Sequence, residues 1–219
     1  MTIEIFGHPF SSYTQKALIA LYENDTPFAF RAIAPDEPDN NARFAALWPI
    51  RKFPILVEDG RTVLEATTII EHLAARHPGP VALIPADPDL AVEVRMMDRV
   101  FDNYVMTPQG KFVWDVLRPE AERDPYGVNE ARTMLESIYA WLDERMAART
   151  WAVGDTFTLA DCAAAPSLFY ADWTHEIPAQ HTNLKAYRAR LLARPSVARA
   201  VDGGRPYRHY FPLGAPDRD

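Results

Sequence analysis

Four prolines fall within residues 77–88 (HPGPVALIPADP), and they divide the 219-residue chain into two stretches of different pattern. Proline fixes φ and removes a backbone donor, so no regular element passes through such a segment undisturbed. Before it, short alternating or β-branched runs lie between helical runs. After it, strand signals stop and apolar residues recur at helical spacing. An α/β unit joined to an all-helical unit is therefore expected, with boundaries at 1–78 for the first, 79–88 for the linker and 89–219 for the second. Two small domains fit this length.

Within the first unit, residues 2–6 (TIEIF) read as a strand. A helix follows from Tyr13, with Ser11 or Ser12 as its N-cap. Residues 28–33 form a second strand, and Asn41 is expected to cap a short helix over 42–47. Asp59-Gly60 joins two further strands, 54–58 and 61–64, into a hairpin, and residues 65–76 return to helical spacing. The order is βαβαββα. In the second unit Leu90, Val94, Met97, Phe101, Tyr104 and Val105 mark a helix, with a kink or break expected at Pro108 and Gly110. Asp124-Pro125 restarts a helix, Thr158 and Asp161 form a capping box, and Asn183 is expected to cap a later helix.

Charge narrows the class of partner. Residues 1–80 carry 7 Lys/Arg against 10 Asp/Glu, and the remainder 16 against 20. Neither half is basic, so nucleic acid is not expected. A single cysteine, Cys162, rules out a disulfide within the chain and a Cys-rich metal site. The N-terminus lacks a signal-peptide layout, and no run of about 18 apolar residues suggests a membrane span. A cytoplasmic protein without metal is the expectation.

Four segments carry a resemblance. Ser11 and Lys16 stand five apart on the way into a helix with Ile19-Ala20-Leu21. Residues 51–56 read RKFPIL. Residues 64–69 read LEATTI, and residues 153–161 read VGDTFTLAD. In this order and spacing they resemble the cytosolic glutathione transferase superfamily, in its bacterial, serine-type, zeta- or theta-like branch. The resemblance implies a thioredoxin-like first domain that binds glutathione as co-substrate and a helical-bundle second domain that binds an apolar partner. It also implies a homodimer and a role in detoxification.

The chemistry explains why such residues are needed. A thiol has a reference pKa near ~8.5, so little thiolate is present at neutral pH. A hydroxyl at a helix N-terminus stabilises the anion by a charge-assisted hydrogen bond and by the dipole. The resemblance places Ser11 in that catalytic role. Ser11 also reads as a plain N-cap, and Ser12 and Tyr13 offer rival hydroxyls. It further implies a cis peptide before Pro54, with the Phe53 backbone pairing to the tripeptide. Glu65 would take the γ-glutamyl amine and the N–H groups of Ala66 and Thr67 the carboxylate. Lys52 would meet the glycyl carboxylate. Ala66 stands where the family has serine, with Thr67 as the expected substitute, and Trp48 replaces an asparagine.

Phe10, Tyr13, Phe101, Tyr104, Val105 and Trp114 are the candidates for the apolar site, with Tyr207, Tyr210 and Phe211 able to close it. Cys162 is read as a buried inert thiol. The implied reaction is conjugation of the glutathione thiolate to an electrophilic apolar carbon. The alternatives are a glutathione-dependent isomerase and a non-catalytic binding module. A thiol–disulfide reductase would need cysteine at position 11.

Overall fold

The computed structural model describes residues 2–219. The first unit runs β1 (Ile3–Gly7), α1 (Ser12–Glu23), β2 (Phe28–Ala32), α2 (Pro38–Leu47), β3 (Ile55–Glu58), β4 (Arg61–Leu64) and α3 (Ala66–Arg76). The sheet order is β2-β1-β3-β4, with β1 parallel to β2 and antiparallel to β3, and β3 antiparallel to β4. This is the expected thioredoxin-like arrangement.

Strand alternation sorts the side chains onto two faces. Ile3, Ile5 and Leu56 join the large core shared with α1 and α3. Phe6 and Ile55 point the other way and pack with Phe44 of α2. The β3–β4 turn places Asp59 at φ 48° and Gly60 at φ 80°. Two successive positive φ values are what a type I′ hairpin demands, which is why Asp-Gly announced it.

The second unit holds α4 (Pro88–Val100), a π-helical stretch (Phe101–Met106), α5 (Thr107–Val116), α6 (Pro125–Met146), α7 (Leu159–Thr174), α8 (Thr182–Leu192) and α9 (Pro195–Gly204). Every residue of α7 but the last is buried. A helix buried all round belongs at the centre of its unit, and α7 packs on α1, α4, α8 and the π-helical stretch. Asp161 anchors it. Its carboxylate accepts hydrogen bonds from Ala152 N (2.9 Å), Thr158 N (2.9 Å), Thr158 Oγ1 (3.2 Å) and Tyr187 Oη (2.6 Å). Burial pushes the Asp161 carboxyl above its usual range, against these donors. Cys162 is fully buried, and burial raises its thiol well above the ordinary value, so it is no nucleophile. Among the described residues no helix is long and apolar enough to cross a membrane.

Three local expectations are corrected. Pro108 does not break its helix. The chain runs from α4 through the π-helical stretch into α5, and Thr107 N bonds Asp102 O. The widened turn lies directly ahead of the missing proline donor and absorbs it. The second helix starts at Pro38 rather than 42, because proline's fixed φ suits the first helical position. Asn41 instead donates to Ala34 O at 2.7 Å. Asn183 lies inside α8, and the free N–H of Leu184 is met by Asp143 of α6 at 2.9 Å.

A buried ionic cluster joins the two units. Lys16 of α1 is 1% exposed and lies 2.6 Å from Asp98 Oδ1 and 2.7 Å from Asp102 Oδ2. Its Nζ also donates to Thr67 Oγ1 at 2.9 Å. Thr67 donates to Asp98 Oδ2 at 2.9 Å, and Arg99 pairs with both aspartates. Two cations and two anions balance, and each element near the seam contributes a member.

Removing one member of a buried ion group leaves its partner charged and unpaired. Lys16→Met is expected to lose about 3–5 kcal/mol in urea unfolding, with part recovered when Asp98→Asn is added. Asp161→Ala strands four buried donors and is expected to cost about 3 kcal/mol or more, against about 1 kcal/mol for Tyr187→Phe. Paired denaturation curves compare the two.

Candidate functional site

A cleft of about 980 Å³ opens between the two units, above the ionic cluster. Its α/β wall is built from three backbone segments: residues 10–13, residues 51–54 and residues 64–66. They bring together the N-terminus of α1, the entry to β3 and the N-terminus of α3. The first four N–H groups of a helix have no intrahelical acceptor, so two helix ends offer donors and positive potential to the same space.

Ser11 caps α1 with β-region backbone angles, and its Oγ accepts Thr14 N–H at 3.3 Å. A serine hydroxyl has two acceptor lone pairs and one donor. The cap uses a lone pair and leaves the O–H free to donate, so capping and anion stabilisation are compatible in one side chain. The loop before it is held from several sides. Gln15 Nε2 donates to Pro9 O at 3.0 Å, Tyr170 Oη donates to Phe10 O at 2.8 Å, and Phe10 N donates to His8 Nδ1 at 3.2 Å. Gly7 at the end of β1 lets α1 come close, since a Cβ there would lie 2.7 Å from Thr14. Tyr13 also lines the cleft. Burial, aided by the Asp102 charge, pushes its phenol up to about 12, so it stays protonated at neutral pH.

The Phe53–Pro54 peptide is cis, and both residues line the cleft. Lys52 also lines it and sits with Nζ 5.6 Å from the centre of the Trp114 ring. Glu65 is an exposed non-glycine residue at φ 67° immediately before α3. A left-handed conformation at such a residue costs on the order of 1–3 kcal/mol and clusters at functional sites. Its carboxylate takes no hydrogen bond and no ion pair among the described residues. Ala66 follows as the first residue of α3.

Thr67 stands apart. It lies at the start of α3, but its hydroxyl is taken up by Lys16, Asp98 and Arg99, and its side chain does not line the cleft. The expected side-chain substitute for the missing serine is therefore absent, while the Thr67 N–H remains in the first turn.

The helical wall differs from expectation in part. Phe10, Tyr13 and Trp114 line the cleft. Phe101 and Val105 do not: both are fully buried in the core, on the side of the helix turned toward α7. Tyr104 is about half exposed and also lies outside the cleft lining. Asp102, Asn103 and Met106 take that wall instead, on the other side of the π-helical stretch. Arg99, Lys111 and Tyr170 are among the further lining residues that the sequence reading missed. Asp98 and Asp102 were visible as charges four apart beside the buried Met97 and Phe101, a sign that the polar side of this helix is not solvent. Tyr210 and Phe211 of the tail do reach the cleft; Tyr207 does not line it.

The arrangement suits an elongated anion. Two helix ends, a free hydroxyl, and Lys52 and Glu65, neither in an ion pair among the described residues, face one channel, and an aromatic wall stands opposite.

Comparison with known proteins identifies the family. Residues 5–81 match the family model for the glutathione S-transferase N-terminal domain, and residues 105–195 match that for the C-terminal domain. The glutathione S-transferase GstB of Escherichia coli K12 is 26% identical over 91% of this chain and 97% of its own length. FtsZ-localized protein A of Caulobacter vibrioides is 27% identical over 97% and 99%. A glutathione S-transferase from Methylobacterium radiotolerans, crystallised with glutathione sulfonate, is 30% identical with a TM-score of 0.80, covering 92% of this chain and 95% of its own. With its two domain models in order on one fold, and a solved relative at 30% identity along nearly its full length, the chain belongs to the glutathione S-transferase family.

Proposed function

We propose that the chain binds glutathione along the α/β wall and transfers its sulfur to an electrophilic apolar substrate held against the helical wall. The observation that carries this reading is Ser11. Its oxygen is fixed by the Thr14 N–H at the head of α1, and its own proton is free to bond a thiolate in the cleft. The helix dipole adds to the stabilisation of the anion.

The remaining residues take the parts that the family resemblance implies. The N–H groups of Ala66 and Thr67 meet the γ-glutamyl carboxylate, Glu65 meets the amine, the Phe53 backbone pairs with the peptide, and Lys52 meets the glycyl carboxylate. Trp114, Phe10 and Tyr13 border the electrophile. Tyr13, with its proton firmly held, serves as a donor rather than a base. Holding thiolate and electrophile in contact supplies most of the acceleration by proximity. The chain acts in the cytoplasm as a homodimer, and its substrate is a small electrophile of the kind removed in detoxification.

One alternative has its own support. Ala66 removes a hydroxyl from the carboxylate end of the site, Thr67 does not restore it, and one relative is named for its association with FtsZ rather than for catalysis. A binding module would accept glutathione weakly or not at all.

Ser11→Ala removes a charge-assisted hydrogen bond worth about 1.5–3 kcal/mol. Conjugation of an activated aryl halide is expected to fall roughly 10- to 100-fold, and the thiol of bound glutathione to titrate higher by about one to two units. Ser12→Ala and Tyr13→Phe are expected to change both far less; an undiminished rate in Ser11→Ala removes that serine from the mechanism. Lys52→Ala is expected to raise the KM for glutathione a few-fold with kcat kept, the signature of lost uniform binding. Calorimetry with millimolar glutathione separates enzyme from binding module, since absence of heat favours the latter.

A further inference from the structure

Glu58 occupies a position that strand alternation turns toward the core and α3, next in register after Leu56. A carboxylate there is out of place unless something holds it. Its side chain is 10% exposed, and no Lys or Arg pairs with it among the described residues. Its partners are two imidazoles. His72 Nε2 lies 2.7 Å from Glu58 Oε2, and His77 Nε2 lies 2.6 Å from Glu58 Oε1. Burial opposes ionisation of Glu58, but the two imidazole hydrogen bonds outweigh it and hold the carboxyl below its usual range.

The backbone aims these side chains. On a continuous helix, residues five apart point well away from each other. His77 has left the helix, with φ −132° and ψ 55° at the cap of α3, and its ring comes back over Glu58. One ligating atom from each of the three residues lies within 4.8 Å of the others.

We propose that Glu58, His72 and His77 form a zinc-class divalent cation site that ties the hairpin end of β3 to the C-terminal end of α3. Two imidazoles and a carboxylate are the donor set that borderline transition ions favour over Mg²⁺ or Ca²⁺. In a tetrahedral zinc site the donors stand about 3.4 Å apart at metal distances near ~2.1 Å. The two hydrogen bonds end on opposite carboxylate oxygens, so the site keeps one of them, whose contact opens by about 0.7–0.8 Å, while the carboxylate turns to bring that oxygen toward the other imidazole. Neither Nδ1 makes a hydrogen bond among the described residues, so each imidazole can carry its proton there and give Nε2 to the metal. His77 is a quarter exposed, which gives the ion a way in and leaves room for water in the fourth position.

This site is separate from glutathione chemistry. The cleft meets α3 at Ala66, and the helix runs 11 residues to Arg76. That is about 15 Å of helix. The ion is a staple between strand and helix, and its effect falls on stability.

The full chain, stripped of metal and kept free of glutathione, is titrated with Zn²⁺ by calorimetry, with its melting temperature followed in parallel. One equivalent is expected to bind and to raise the melting temperature. His77→Gln, at an accessible helix end where folding is least at risk, is expected to weaken Zn²⁺ at least about tenfold and to abolish the melting shift. On the unmutated chain, Co²⁺ is expected to give visible d–d bands that one equivalent of Zn²⁺ removes. No Zn²⁺-displaceable Co²⁺ bands, or an unchanged Zn²⁺ affinity in His77→Gln, overturns the proposal.

Discussion

A lysine with 1% exposure is held between two aspartates at the seam of this protein, and the cleft is built over it. Lys16 comes from α1, Asp98 and Asp102 from α4 and the π-helical stretch, and Thr67 from α3. Ion groups of this kind add little net stability over apolar packing, but they are intolerant of loss or displacement. The cluster therefore acts as a registration device. It fixes how the head of α3 and the helical wall stand relative to α1. Lys16, Asp98 and Arg99 of this cluster explain why Thr67 cannot serve the cleft with its hydroxyl: it is committed below.

Above that seam, economy of atoms is the theme. Ser11 satisfies a helix N–H and keeps a proton in reserve. Asp102 belongs to the buried cluster and lines the cleft as well, because a π-helical turn widens the helix at that point. The positive φ at Glu65 turns the chain sharply into α3, so that a helix end rather than a strand edge meets the ligand space. Each of these is a local departure from regular structure, and together they lie around one channel.

Much of the α/β unit was readable because its signals are short-range. Alternation, the Asp59-Gly60 turn, the Ser11 cap and the proline-rich break each depend on a few neighbouring residues. The candidate site was readable where it comprises capping and turn segments, hence Ser11, Lys52, Phe53, Pro54, Glu65 and Ala66 in or beside the cleft. The helical wall was not. Apolar residues at helical spacing identify a face but do not say whether that face meets a core or a pocket, and Phe101 and Val105 went to the core. Tyr170 was hidden in a helix buried on every side, and Glu58, His72 and His77 follow no recognisable spacing.

The sequence by itself determined most of the element order, since dihedral preferences and hydrophobic periodicity are local properties of the chain, and four short motifs carried the resemblance to the family. Only the tertiary structure decided which side of the α4–π–α5 rod faces the cleft, that Thr67 and Lys16 are spent on a buried ion group, and that a strand carboxylate meets two histidines. Those outcomes depend on how helices and sheet dock in three dimensions, where burial and charge pairing between distant residues outweigh local preference.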